Sequence, residues 1–204
     1  LPRPSSRTMR LLGGCSVPAA LLSSRKALRS SSVAPHLPQT VVLGLHCDVT
    51  NGVNIDLDAS AILLDKNLRQ VDLVFFGKLR SSDGSIQHGG DEREGDEKGD
   101  DEKIHVNLQA VSPQVKYIGF VINSYSGEEL DDVAATSCHL YGPATRRDFA
   151  TYALTGTKML DKKTALVMGM LYRDGSGQWS LRIISEGAMG KTVHDNIDEL
   201  QRHI

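Results

Sequence analysis

The chain has 204 residues, 40% of them hydrophobic, and a formal net charge of −2. That is enough apolar material for one real core, and so even a balance argues for neither a nucleic acid nor a membrane as partner. No run of the sequence approaches the ~18 apolar residues that a membrane span needs.

The even balance conceals two unequal parts. Residues 1–47 contain six basic residues and no acid, so the remaining 17 bases face 25 acids, a balance of −8. Residues 1–40 are rich in Arg and Ser, which is the composition of an organellar transit peptide. The expected address is therefore mitochondrion or chloroplast. A secretory signal built on LLGGCSVPAALL, or a disordered basic tail on a cytoplasmic protein, are the alternatives.

Residues 41–204 read as a single domain of short apolar runs broken by Gly, Asn, Asp and Ser. Strands are predicted in VVLGLHC (41–47), IDLDASAILL (55–64), VDLVFF (71–76), KIHVNL (103–108) and YIGFVI (117–122). Further strands are predicted in AATSCHLYG (134–142), DFATYAL (148–154), TALVMGMLY (164–172) and QWSLRIIS (178–185). DKN, SSDG and DGSG supply turn chemistry between them, and DGSG between two apolar runs is a hairpin signal. Regular short strands with little helix between them predict an all-β fold, an antiparallel β-sandwich. One α-helix is expected at the C-terminus, in KTVHDNIDELQRHI, where Val193, Ile197, Leu200 and Ile204 fall on one face.

The three cysteines lack C-x-x-C spacing. Cys47 and Cys138 read as buried thiols; a bridge between them is the alternative for a secreted protein. Cys138 and His139 are adjacent in a strand and point to opposite faces, which defeats a Cys–His pair. Ser124 and Ser126 lack a nucleophile elbow. The acidic body has no basic stripe, so no nucleic-acid partner is expected.

The chemistry concentrates in HGGDEREGDEKGDDEK (88–103), where eight acids and three bases lie between Asp91 and Lys103. Two carboxylates about 4 Å apart repel by about 1 kcal/mol in water and about 4 at an effective dielectric of 20. Splayed in solvent, such a loop stays disordered; folded on a domain it needs a cation. Calcium takes six to eight oxygens in forgiving geometry, and the interspersed glycines let the backbone curl around an ion. In IDLDAS, Asp56 and Asp58 project to one side of a strand and Leu57 to the other, a ready half of a metal site. Neither stretch has the spacing of an EF-hand. Composition alone leaves both a metal site and a solvated acidic loop open.

LGLHCD, DLDASAILLD, VDLVFF and LRSSDGSIQHGGDEREGDEKGDDEKIHVNL, in that order, resemble the tellurium-resistance TerD family over about residues 41–204. VINSYSGEELDDV and GKTVHDNIDELQ are similar to family members as well. The resemblance implies a β-sandwich that binds calcium at a paired site between the acidic loop and the D-L-D strand, in a non-enzymatic stress-response role. Carried over by position, it implies Asp56, Asp58, Asp91, Asp100, Asp101 and Glu102 as ligands, with Glu92, Asp96 and Glu97 as auxiliaries. Glu92, Glu97 and Lys98 replace the family's Asn, Gly and Asp, so one or two ions are expected. His46 and Cys47 stand in a neighbourhood where the family has tryptophan. A protein partner of unknown identity is expected. Two rival readings remain: a metal-dependent hydrolase or phosphotransferase with His88 as general base, and a calcium-dependent membrane-binding module.

Overall fold

The computed structural model describes residues 37–47, 56–90, 99–133, 136–154 and 156–204, with the side chain of Cys47 outside that set. All of them belong to one compact unit, Ala34–Ile204. Residues 1–36 of the expected transit peptide and the loop acids Asp91, Glu92, Asp96 and Glu97 lie outside the described residues. Residues 37–40, assigned to that peptide from the sequence, instead belong to the domain, with Thr40 opening the first strand.

Ten strands follow in chain order: β1 Thr40–Cys47, β2 Leu57–Leu64, β3 Gln70–Val74, β4 Ile86–His88, β5 Glu102–Asn107, β6 Tyr117–Ser124, β7 Thr136–Gly142, β8 Arg147–Ala153, β9 Ala165–Arg173 and β10 Trp179–Ala188. They form two five-stranded sheets, β4-β5-β1-β7-β8 and β10-β9-β6-β2-β3. Every pairing is antiparallel. The expected sandwich is what the chain forms. The one strand the sequence reading missed is β4, whose three residues are too few for an alternating pattern to stand out.

Alternation along each strand explains the interior. Val41, Leu43 and Leu45 of β1, Ile104 and Val106 of β5, and Cys138 and Leu140 of β7 face Leu57, Ala59, Ala61 and Leu63 of β2 and Ile118, Phe120 and Ile122 of β6 in one apolar cluster. Cys138 is therefore a core thiol, and His139 takes the opposite face. The DGSG hairpin forms as expected between β9 and β10, with Asp174 N–H and Gly177 N–H donating to Gln178 O and Asp174 O. Trp179 packs at the rim of this core, its Nε1 donating to Leu108 O at 3.0 Å.

β2 is buried on both faces. Its outward residues Ile62 and Leu64 join Leu73, Val121, Val193 and Leu200 in a second cluster beneath the C-terminal segment. That segment differs from the single helix expected. A 3₁₀ turn, Val193–Asn196, precedes a five-residue helix, α1 Ile197–Gln201. The Thr192–Asp195 capping box fixes its start, and the Asn196 amide turns back to donate to Thr192 O, a local competitor of regular helix. Val193 and Leu200 are buried as expected, whereas Ile204 is exposed. Gly119 makes the docking possible, because a Cβ there would collide with the buried Leu200 side chain. No helix among the described residues is long and apolar enough to cross a membrane.

Candidate functional site: the closing end of the acidic loop

The acidic loop rejoins the sandwich at Gly99–Glu102, and its three acids part company there. Asp101 N–H donates to Leu45 O at 2.8 Å, bringing the chain alongside β1. Asp100, just before β5, lies on the solvent side of its sheet. Its carboxylate sits 2.9 Å from His139 Nε2 and 3.4 Å from the Tyr141 hydroxyl. Asp148 Oδ1 stands 2.9 Å from the other imidazole nitrogen, so His139 bridges two carboxylates. The Tyr141 ring stacks on His139 at 4.6 Å. Burial, then the charge of Asp100, raises the Tyr141 hydroxyl above the usual tyrosine value, which keeps it a donor.

Gly44 makes this arrangement possible. It pairs with Lys103 on one side and His139 on the other. A Cβ at this position would collide with Asp100 Oδ2 and come within 2.7 Å of His139 Nε2. His46, two residues along the same face of β1, is 2.7 Å through Nδ1 from Gly99 O and 3.6 Å from Asp101 Oδ2. Two histidines thus fasten the end of the loop to the sheet. In the sequence, His46 stands out only as a departure from the family's tryptophan neighbourhood, and His139, Tyr141 and Asp148 carry no expected role in the site. The LGLH glycine beside an acidic loop was the available signal.

Glu102 goes the other way. In β5 it shares its face with Ile104 and Val106 and points into the sandwich. Pairing of β3 with β2 begins only at Ala61, which leaves the β2 edge at Ala59 without a strand neighbour on that side. Two side chains from the opposite sheet take its place. Ala59 N–H donates to Glu102 Oε2 at 2.6 Å, and His88 Nε2 donates to Ala59 O at 3.1 Å. His88 Nδ1 accepts Gly90 N–H at 3.0 Å, which sets the tautomer. Burial pushes the imidazole down, but the hydrogen bond and charge of Glu102, the Ala59 carbonyl and the charge of Asp58 push it further up, so His88 sits above the ordinary histidine value. With no exposed side-chain surface and both nitrogens occupied, His88 lacks the access that the general-base reading requires.

The D-L-D strand alternates as expected: Leu57 enters the core, and Asp58, mostly buried, takes the outer face opposite Asn123. Asp56 is exposed at the foot of the strand. The expected ligands present among the described residues are all carboxylates, a hard oxygen set suited to calcium, and Gly44 supplies a cradle for one of them. They do not converge on one point, however. Among the described residues, the only three ligand-bearing side chains whose donor atoms lie within 4.8 Å of one another are Glu129, Asp131 and Asp161, none of them expected. Asp100 and Asp101 stand on one side of the β5 entrance, and Glu102 stands on the other.

Comparison with known proteins agrees with this architecture. Residues 27–199 match the TerD domain. The chain is 34% identical to tellurium resistance protein TerD of Serratia marcescens over 168 residues, covering 78% of this chain and 86% of the relative. It is 32% identical to general stress protein 16U of Bacillus subtilis (strain 168) over 160 residues, covering 74% and 81%. A solved structure of a telluride-resistance TerD homologue from Streptomyces coelicolor A3(2) shares the fold, with a TM-score of 0.66 at 24% identity over 76% of this chain and 94% of that one. The chain belongs to the TerD domain family.

Proposed function

We propose that this protein is a calcium-binding, non-catalytic stress-response domain whose acidic loop is ordered by one or two ions. The observation that supports this most is the buried carboxylate of Glu102. It lies beside His88, and among the described residues His88 is the only basic group within ion-pair distance of it. A carboxylate removed from water costs several kcal/mol unless opposite charge and hydrogen bonds repay it. For Glu102, one imidazole at 3.6 Å and one backbone N–H at 2.6 Å are a partial answer.

Calcium, when bound, supplies the missing positive charge and accepts many oxygen ligands. The residues that would hold it are Glu102 toward the sandwich interior, Asp58 on the outer face of β2, and Asp100 and Asp101 on the solvent side of the other sheet. Asp56 and the loop acids Asp91, Glu92, Asp96 and Glu97 complete the set. The chain's own part is orientation. His139 and Tyr141 fix the rotamer of Asp100, His46 holds the backbone at Gly99, and Ala59 N–H holds one oxygen of Glu102. Second-layer partners of this kind keep ligands in place and are worth a factor of about 10 to 100 in metal affinity. The ordered loop then forms the surface offered to a protein partner. The names of the relatives, which speak of tellurium resistance and general stress, support the stress-response role.

Calorimetric titration of the chelator-treated full chain with calcium tests this. Saturable heat and a calcium-dependent rise in melting temperature are expected; neither at millimolar calcium would overturn the reading.

A further inference from the structure

Two connecting segments meet away from the acidic loop. SGEELDDV (126–133) leads from β6 toward β7, and LDKK (160–163) leads into β9. Each is anchored in the apolar interior, the first by Leu130 and the second by Leu160, which closes the 3₁₀ turn Lys158–Leu160. Hydrogen bonds staple the two together. Leu130 N–H donates to Lys163 O at 2.8 Å, Gly156 N–H to Asp131 O at 3.0 Å, and Lys162 N–H to Glu129 Oε2 at 2.9 Å. Glu129 and Asp131, on either side of Leu130, are thereby brought to Asp161, which follows Leu160. A carboxylate oxygen from each of the three lies within 4.8 Å of the other two.

The chain does not neutralise this cluster. Among the described residues, no lysine, arginine or histidine nitrogen lies within ion-pair distance of the three carboxylates. Lys158, Lys162 and Lys163 are close in sequence, but the stem of Lys163 packs over Gly187 of β10, where a Cβ would come within 2.6 Å of its Cγ. A second observation is independent of the clustering. Asp131 Oδ1 is closed to solvent and has no hydrogen-bond partner. The two oxygens of one carboxylate share a carbon, so this oxygen stands at the cluster whichever of the two faces it. A buried carboxylate oxygen normally takes a donor or a cation, and no donor on the chain reaches this one.

We propose that Glu129, Asp131 and Asp161 form a calcium site separate from the acidic loop. The donors are carboxylates alone, with no imidazole or thiolate among them, which suits a hard cation rather than zinc or copper. Oxygens bound to calcium at about 2.3–2.6 Å stand at most about 5 Å apart, so the observed spacing fits a single ion. Magnesium would draw them within about 4.2 Å and gives up its waters reluctantly. Glu129 and Asp161 are exposed, so the ion exchanges with solvent and water completes its coordination. Once bound, it ties the β6–β7 connection to the entrance of β9. The proposal uses none of the ligands named for the acidic loop.

The test is an NMR titration of the ¹⁵N-labelled full chain, stripped of metal beforehand, with calcium and separately with manganese as a paramagnetic probe. Calcium is expected to shift the backbone amides of Leu130, Asp132 and Lys162 saturably. Trace manganese should broaden the same amides until calcium displaces it. Asp161→Asn alters an exposed side chain and keeps the fold; it should weaken calcium at these amides by about tenfold or more, because affinity follows the ligand charge. Asp131→Asn should do the same. Asp100→Ala, which removes a ligand of the loop site, should leave the shifts at Leu130 and Lys162 in place. Shifts that fail to saturate, no local broadening, full affinity in Asp161→Asn, or loss of these shifts in Asp100→Ala would each overturn the proposal. Saturable shifts at Leu130 and Lys162 with none at Asp101 and Lys103 would uphold this site and count against the loop reading alone.

Discussion

Asp100 occupies the space that a side chain at residue 44 would fill. A methyl group on Gly44 would strike Asp100 Oδ2 and crowd His139 Nε2 at 2.7 Å. A glycine in the middle of β1 costs stability by itself, roughly 0.5–1 kcal/mol relative to alanine. Its presence there is explained by the acid it accommodates. The relationship ties a residue in the apolar LGLH run to the far end of a loop more than fifty positions later.

Gly44→Ala should therefore displace Asp100 from His139 and weaken calcium binding, while the strand itself gains propensity. Calorimetry should show reduced calcium affinity beside a metal-free melting temperature that changes little. Unchanged affinity would mean that the seated position of Asp100 has no part in binding.

His139→Ala removes the bridge between Asp100 and Asp148 without touching a carboxylate. A loss of about tenfold in calcium affinity is expected, as for other residues that orient a ligand. His139→Asn, which keeps a donor, should recover part of it. Equal loss in both variants would point to general unfolding of the face, and circular dichroism of the two would show it.

Glu102 supports two different effects that substitution can separate. Glu102→Gln keeps an oxygen for Ala59 N–H but removes the charge, whereas Glu102→Ala leaves the buried N–H without an acceptor. In chelator, the alanine variant should be about 1–3 kcal/mol less stable than the glutamine variant by urea unfolding. Both should lose the calcium-induced rise in melting temperature. Equal stability of the two in chelator would contradict the role of Glu102 at the β2 edge.

Asp83 gives a prediction in pH. Burial pushes its carboxyl up, but hydrogen bonds from Ser85, Ser112 and Ser81 outweigh this and hold it at about 2, below the usual 3.8. A group depressed on folding adds stability above its unfolded value and loses it as pH falls toward the folded one. The stability gap between the native chain and Asp83→Asn should therefore be full at neutral pH and shrink between about pH 4 and 2. Urea unfolding of both proteins at several pH values measures it. A gap that stays constant across that window would show that the Asp83 charge contributes nothing.

Much of this was legible in the sequence because it is periodic. Nine of the ten strands announce themselves by apolar runs between turn residues, and Leu57, Cys138 and His139 fall on the faces that alternation assigns. The acids of the loop were legible as a group by composition and resemblance. Their separate directions were not. Asp100 precedes β5, so no pleat dictates its direction. Its partners His139 and Tyr141 arrive through the pairing of β1 with β7, and Asp148 reaches His139 through the pairing of β7 with β8, both long-range facts. The edge at Ala59 depends on where β3 stops pairing, which no local pattern encodes. The C-terminal helix was overestimated because its apolar spacing was read without the side-chain competition of Asn196.

The claim beneath these expectations is that a divalent cation converts a self-repelling loop into part of the folded surface. Amide hydrogen exchange over residues 91–102 of the full chain, measured in chelator and in excess calcium, tests it most directly. The account predicts markedly slower exchange across that segment when calcium is present, with Glu102→Gln abolishing the difference. Identical exchange in the two buffers would contradict it.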